Sequence, residues 1–545
     1  MAAGGVVSAH EREDRPVAVR FEHGVASGDP LADRVILWTH ARRGNTPSPV
    51  QLRWEVARDA AFDDVVASGR AEARAETGFT AKVDASGLTP GHDYFYRFRA
   101  GADVSPVGRT RTLPALGVSE VKLAVFSCAN YPAGHFHAYG EALRAGADYA
   151  VHLGDYLYEY GAGGYASEDA AALERTVEPA HELITLDDYR RRYAQYRSDP
   201  DLKQLHAHLP MIAIWDDHEI ANDAFMTGAE NHTEGAEGSF AARKAAALQA
   251  YHEWLPIRTP DLSDLARAYR SFDFGDLLSL HLLETRLVGR EQPIEIGALV
   301  NPATRDAAVA ALASPTRQML GEAQMAWLTK GLQTSKATWQ VLGQQVLMAR
   351  MAFPASILMA LNSSNTSPEA QAAAQQAITA YLTAKAMRAN GMPLSPPQQA
   401  LLDPSINPLI GYNLDAWDGY PVARERVLGT AAALGKRLVS LAGDTHNAWH
   451  SELRLLNGTP VGAEFATPGV SSPGLEAYLS SLPPAQTAAI FQGVIDTLRF
   501  ADTSRRGFLM MSFTPSEARG TWHLLDSVKS PSYSVDSTHS HALAA

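Results

Sequence analysis

The pattern of apolar and polar positions changes character near residue 114. Before it, apolar residues alternate with polar ones in short runs: Arg34-Val35-Ile36-Leu37-Trp38-Thr39, Gln51-Leu52-Arg53-Trp54-Glu55-Val56 and Asp93-Tyr94-Phe95-Tyr96-Arg97-Phe98. A period of two turns one face of each run into a core, which predicts half-buried strands. Gly28-Asp29-Pro30 and Thr89-Pro90-Gly91 punctuate the runs as turns. Residues 15–115 therefore predict a small antiparallel β-sandwich, preceded by a flexible tail over 1–14. Such a unit is either a binding module or an appendage that shapes the main domain's cleft; the second is the simpler expectation.

Beyond a linker at 114–119 the runs become continuously apolar. Residues 121–127, 149–153, 211–215 and 438–442 read as strands buried on both faces. Helical patterns lie between them, over 135–145, 186–195, 240–254 and 321–333. This alternation predicts an α/β domain over 118–530 with a mixed or parallel sheet, and a C-terminal tail over 531–545. The Ala- and Gln-rich segment 367–390 predicts an inserted helix, for packing or as a lid. No internal repeat is visible, and no run reaches the roughly 18–20 apolar residues of a membrane span. The N-terminus lacks a basic region and an apolar core, so no signal peptide is expected within this numbering.

Composition removes several function classes. With 46% apolar and 20% charged residues the chain is an ordinary globular protein. A net charge of −13 makes it a poor general nucleic-acid binder, because phosphate contacts need clustered Lys and Arg. The single cysteine, Cys128, excludes an intramolecular disulfide framework and any cysteine-rich metal site.

The candidate chemistry gathers at the ends of the buried strands. The first runs into Cys128, the second into Gly154-Asp155 with Tyr156 and Tyr158 behind it. The third meets Asp216-Asp217-His218-Glu219, and the fourth Gly443-Asp444-Thr445-His446. Each cluster alone has a bland reading, as a core thiol, a turn or a capped helix start. Four together, each at a strand's carboxyl end, point to one ligand site. Thiolate, phenolate and imidazole from Cys128, Tyr158 and His446 suit iron far better than calcium or magnesium. The carboxylates of Asp217 and Asp444 suit a hard divalent cation, and Asp155 is placed to bridge. Deprotonated, these ligands carry five negative charges, matching one trivalent and one divalent ion.

Several segments then resemble a known family. Gly24-Val25-Ala26-Ser27-Gly28-Asp29-Pro30, Phe126-Ser127-Cys128, His152-Leu153-Gly154-Asp155-Tyr156-Leu157-Tyr158-Glu159-Tyr160, Trp215-Asp216-Asp217-His218-Glu219 and Gly443-Asp444-Thr445-His446 occur in the order seen in PhoD-like alkaline phosphatases, and 415–421 adds a further match. The resemblance implies a calcineurin-like metallophosphoesterase core of two sheets between helices, with an N-terminal sandwich; residues 87–97 are similar to the closing region of fibronectin type III-like domains. It implies Fe³⁺ held by Cys128, Asp155, Tyr158 and His446, and Ca²⁺ held by Asp155, Asp217 and Asp444. Asp216 stays open as the alternative to Asp217. Asn222 is the candidate for positioning phosphate.

The implied reaction is hydrolysis of small phosphate monoesters at alkaline pH by a metal-activated hydroxide or oxide. His218 is the candidate to stabilise charge or protonate the leaving group, or else to orient a ligand. A phosphodiesterase of phospholipase D or nucleotide type is the nearest rival, since the same metals serve both; a non-catalytic binding protein is the more distant one. The family's twin-arginine export signal is not visible, Arg42-Arg43 lying inside the sandwich, so a periplasmic or secreted location is implied by resemblance alone.

Overall fold

The computed structural model describes residues 17–361 and 367–545, so the tail expected over 1–14 lies outside the described residues. Strands Val121–Phe126, Tyr149–His152 and Met211–Ala213 pair in parallel at the centre of a ten-stranded sheet. Antiparallel strands Arg506–Phe513 and Glu517–Leu525 extend it on one side. A second, seven-stranded sheet is built on the parallel strands Leu278–Leu282, Trp339–Gly343, Leu438–Ala442 and Pro460–Ala466.

The two sheets lie face to face. Leu123, Val125, Ile212 and Leu509 of the first share a core with Val341, Val439, Leu441 and Phe465 of the second. Both faces of each sheet are therefore apolar, which is why these strands read as unbroken apolar runs rather than alternating ones. Helices His137–Arg144, Leu186–Tyr196, Pro200–His208 and Phe240–Trp254 add Tyr139, Tyr193, Leu205 and Tyr251 to that core. Helices Gly321–Thr334, Pro421–Ala433 and Pro484–Val494 close the far side of the second sheet, Leu328, Leu428 and Phe491 packing with Leu342 and Leu453. Local signals set the helix starts: a Thr185–Asp188 capping box begins Leu186–Tyr196, and Asp199 with Pro200 begins the next. The Ala- and Gln-rich segment forms helix Pro368–Ala389, which sinks Ile378 and Tyr381 among Ile357, Leu358 and Phe491.

The N-terminal part is a two-layered β unit. Val25, Val35, Leu37, Ala81 and Ala85 pack against Leu52, Val56, Tyr94, Tyr96 and Phe98 of a five-stranded sheet. Its inner layer, strands Val25–Gly28, Arg34–His40 and Thr80–Ser86, continues the ten-stranded sheet, because Gly28 pairs with Met211. A Cβ on Gly28 would sit 2.3 Å from the Pro256 carbonyl oxygen, so only glycine permits the joint. Asp29, fully buried, accepts from Nε and Nη2 of Arg270, both at 2.8 Å, and from the Arg258 N–H at 2.6 Å. The Gly28-Asp29-Pro30 turn is thus the clamp between the two parts. The segment expected as a C-terminal tail is instead ordered on the sheet: Val535–Asp536 and Ser540–Ala544 both pair with Glu517–Leu525, and His541 stacks on His450.

Candidate metal centre

The carboxyl ends of Val121–Phe126, Tyr149–His152 and Met211–Ala213 meet that of Leu438–Ala442, three strands from one sheet and one from the other. A bridge between Ser127 and Gly469 ties the two sheets at this edge. A Cβ on Gly443 would come within 2.7 Å of Ser127 Cβ, so the Gly443-Asp444 turn depends on a missing side chain. Cys128, Asp155, Asp444 and His446 all hold left-handed backbone, with φ of 60°, 53°, 65° and 61°. Such strain costs about 1–3 kcal/mol per residue and persists where surrounding bonds enforce it. At Asp155 Glu219 supplies that enforcement: its carboxylate accepts from the N–H groups of Asp155, Tyr156 and Asp216 at 3.0, 2.6 and 2.8 Å.

These turns bring the candidate ligands together as three overlapping groups: Cys128, Asp155 and His446; Asp155, Asp217 and His218; and Asp216, Asp217 and Asp444, with ligand atoms within 4.8 Å in each. Asp155 and Asp217 link the groups. Tyr158 joins the first, its Oη donating to Asp155 Oδ2 at 3.1 Å and lying 3.2 Å from His446 Nε2, while Ser472 Oγ donates to it at 2.7 Å. The Pro473 carbonyl accepts a hydrogen bond from His446 Nδ1–H at 2.7 Å, a tautomer that leaves the Nε2 lone pair facing Tyr158.

The electrostatics ask for positive charge. Burial, then Asp155, pushes the Cys128 thiol and the Tyr158 hydroxyl well up. Burial and neighbouring carboxylates push Asp155 and Asp444 well above the usual range, and Asp216 to about 7. Asp217 alone is driven down, to about 2, because Arg286 and His218 outweigh its burial. Asp155 Oδ1, Asp216 Oδ2 and Asp217 Oδ1 are buried without a hydrogen bond. Buried carboxylate oxygens without donors are costly, and a cation between them removes that cost.

Two charged devices flank the cluster. Arg286, fully buried, pairs with Asp216, with Asp415 at 2.7 Å, and with Asp217 and Asp444 at 3.3 and 3.4 Å. Glu159 accepts from His218 Nδ1 at 2.7 Å, and the His218 ring lies over Tyr158 with centroids 4.1 Å apart. Burial opposes a charge on His218, but Glu159, Asp217 and Asp155 outweigh it and hold the imidazolium well above its ordinary value. Asn222 does not share this arrangement: its amide donates to Glu230 at 3.1 Å and its N–H to Glu159 at 2.7 Å. The next residue, Asp223, donates its N–H to Asp217 Oδ2 at 2.6 Å.

Comparison with known proteins gives this site a family. The profile of the PhoD-like phosphatase family matches residues 123–522, and that of its N-terminal domain residues 6–114. The chain belongs to the PhoD-like phosphatase family. It is 33% identical over 531 residues to alkaline phosphatase D of Bacillus subtilis, covering 94% of this chain and 79% of that one. A solved structure of PhoD superposes with a TM-score of 0.76 at 30% identity, over 96% of this chain and 90% of the other.

This PhoD-like phosphatase is accordingly a hydrolase of mixed α/β fold with a β-rich N-terminal domain. No helix among its described residues is long and apolar enough to cross a membrane. Reading the sequence did not single out Arg286, Ser472 or Tyr165, whose Oη is 3.3 Å from His446 Nδ1, and quoted Glu159, Glu219 and Asp415 without roles. For Arg286 a signal existed: a lone cation placed just past the wholly buried strand Leu278–Leu282.

Proposed function

We propose that this chain is a metal-dependent alkaline phosphatase that hydrolyses phosphate monoesters to alcohol and inorganic phosphate. In this reading Cys128, Asp155, Tyr158 and His446 hold Fe³⁺, and Asp155, Asp217 and Asp444 hold Ca²⁺. The observation that supports it is Asp155, shared between the group of Cys128 and His446 and the group of Asp217 and His218, with Asp217 in turn joining Asp216 and Asp444. Thiolate, phenolate and imidazole match a trivalent iron, and clustered carboxylates match a hard divalent ion. The remaining charges cancel in pairs: Arg286 and Arg290 against Asp216 and Asp415, and His218 against Glu159. Burial pushes Glu219 and Asp223 up, toward their neutral forms. Five negative charges are left on the ligands, equal to one Fe³⁺ and one Ca²⁺.

When bound, such a pair of cations supplies Lewis-acid charge neutralisation and an activated water. The chain's own residues do the rest. Glu159 fixes His218 beside Asp217, where its free Nε2–H is available to the leaving oxygen. Ser472 and Pro473 fix Tyr158 and His446 from the far side. Asp217 rather than Asp216 is the ligand in this reading, because Asp216 is spent on Arg286. The net charge of −13 favours small esters drawn in by local positive charge over polyanions. We place the enzyme in the periplasm or outside the cell, on the resemblance to its family.

The test compares hydrolysis of nitrophenyl phosphate with that of bis(nitrophenyl) phosphate. A much faster monoester is expected, whereas a much faster diester would assign a phosphodiesterase to the same centre. Full activity in both Cys128→Ala and Asp155→Asn would remove the site altogether.

A further inference from the structure

Behind the metal centre, on the other side of segment 409–418, lies an open cavity of about 300 Å³. Helices Ile296–Val300 and Arg305–Leu312 form one wall, and strand Leu409–Gly411 with the start of helix Pro421–Ala433 forms the other. The intervening segment turns its residues two ways. Leu409, Ile410, Gly411 and Leu414 line the cavity. Asn413 instead donates to Asp444 at 3.5 Å, and Asp415 accepts from Arg286 at 2.7 Å. The cavity is thus separate from the phosphoester site, though one chain thickness from it.

Its lining is aliphatic: Leu299, Val309, Leu312, Ile410, Leu414 and Leu456 contribute, and no aromatic side chain does. Three apolar side chains stand open to solvent at its rim, Val309, Leu409 and Leu456, at 51, 42 and 60% exposure. A monomeric protein has little reason to gather exposed apolar groups around a hollow unless something covers them. The volume falls at the lower end of small-ligand sites, about 300–1,000 Å³. Absence of aromatic rings argues against a nucleobase, which would stack.

The charged groups choose the ligand's head. Arg305 donates to the Leu299 carbonyl at 3.0 Å, and Arg424 to the Met348 carbonyl and Glu425 at 2.6 and 2.7 Å. Glu425 also accepts from the Leu456 N–H at 2.9 Å, and Asp418 from the Met351 N–H at 2.8 Å. Arg350 differs: it is exposed, lines the cavity, and has no hydrogen bond or close ion pair among the described residues, its charge facing buried Asp418 only at longer range. We propose that this cavity binds an aliphatic chain ending in a single anionic group, the chain among Leu299, Val309, Leu312 and Leu414 and the head on Arg350. A monocarboxylate matches one free guanidinium, which offers two parallel N–H donors.

Calorimetric titration of the metal-loaded protein with decanoate, below its micelle concentration, tests this. Decanol and decyltrimethylammonium serve as neutral and cationic comparisons. Decanoate is expected to bind at one site, and decyltrimethylammonium not to bind. Arg350→Gln should weaken decanoate about tenfold or more, the loss of one charge-assisted bond, while leaving decanol unchanged. Leu312→Trp should fill the cavity and remove both. Unchanged hydrolysis of nitrophenyl phosphate by Arg350→Gln confirms that this variant is folded. No binding of decanoate to the native protein would overturn the proposal, as would equal binding of the cationic chain or affinities unmoved in both variants. None of these outcomes bears on the phosphatase reading, which is measured by turnover.

Discussion

Replacing Arg286 with methionine probes the carboxylate cluster most sharply. The guanidinium is fully buried and pairs with four carboxylates, those of Asp216, Asp217, Asp415 and Asp444. Each pair is worth about 4 kcal/mol of gross attraction at 4 Å with an effective dielectric constant near 20. Burying the guanidinium repays most of that, and breaking buried pairs costs about 3–5 kcal/mol net. The metal-free Arg286→Met protein is therefore expected to lose about 3–5 kcal/mol. With cations bound, Asp217 and Asp444 have another partner and Asp415 keeps Arg290, so only Asp216 is orphaned and the loss falls to roughly half. Denaturant titration of both proteins, with chelator and with iron and calcium, reads the two losses from the midpoint shifts. Equal losses in the two states would refute the reasoning, because they would mean that no cation replaces Arg286 as the carboxylates' partner.

His218→Asn should lower kcat by about 10²–10⁴ with little change in KM, and the loss should be larger for an alkyl phosphate than for nitrophenyl phosphate, whose leaving group needs no proton; equal losses on both substrates would deny His218 the role of acid. Burial lowers His152 and His252 to about 3, from an ordinary value of 6.5 in the unfolded chain. Depressed folded-state values mean stability fully present above pH 6.5 and lost as pH falls toward 3, about 2 kcal/mol for each histidine by pH 5. Urea titrations at pH 7.5 and 5 check this, and a flat profile would contradict it. Gly443→Ala should cost about 1–3 kcal/mol through the clash with Ser127, and adding Ser127→Gly should restore most of it; no recovery would show that the two sheets do not meet there.

The strands that carry the site were legible because burial on both faces leaves an unbroken apolar run, and each of the four runs ends at a group able to bind metal. Cys128 and Asp155 could be picked as candidate ligands from residue type and from their shared position at strand ends, and they do come together in one group. What the sequence hid is pairing between distant segments. The single pair between Gly28 and Met211 that merges the N-terminal unit with the main sheet leaves no periodic trace. The C-terminal residues, too short and polar to read as strands, gain their order from the edge they join. The position of Arg286 past a buried strand was visible but its role was hidden for a similar reason, since its four partners lie 70, 69, 129 and 158 residues away in the chain. Asn222 shows how little spacing says about direction: its amide donates to Glu230, while the backbone N–H of Asp223 donates to Asp217.

Metal analysis of the protein purified without added metal tests the central claim most directly. The account predicts iron near one equivalent, accompanied by calcium, with a visible charge-transfer band from the Cys128 thiolate or Tyr158 phenolate that Cys128→Ala and Tyr158→Phe each alter. Two equivalents of zinc, no iron and a colourless protein would contradict it.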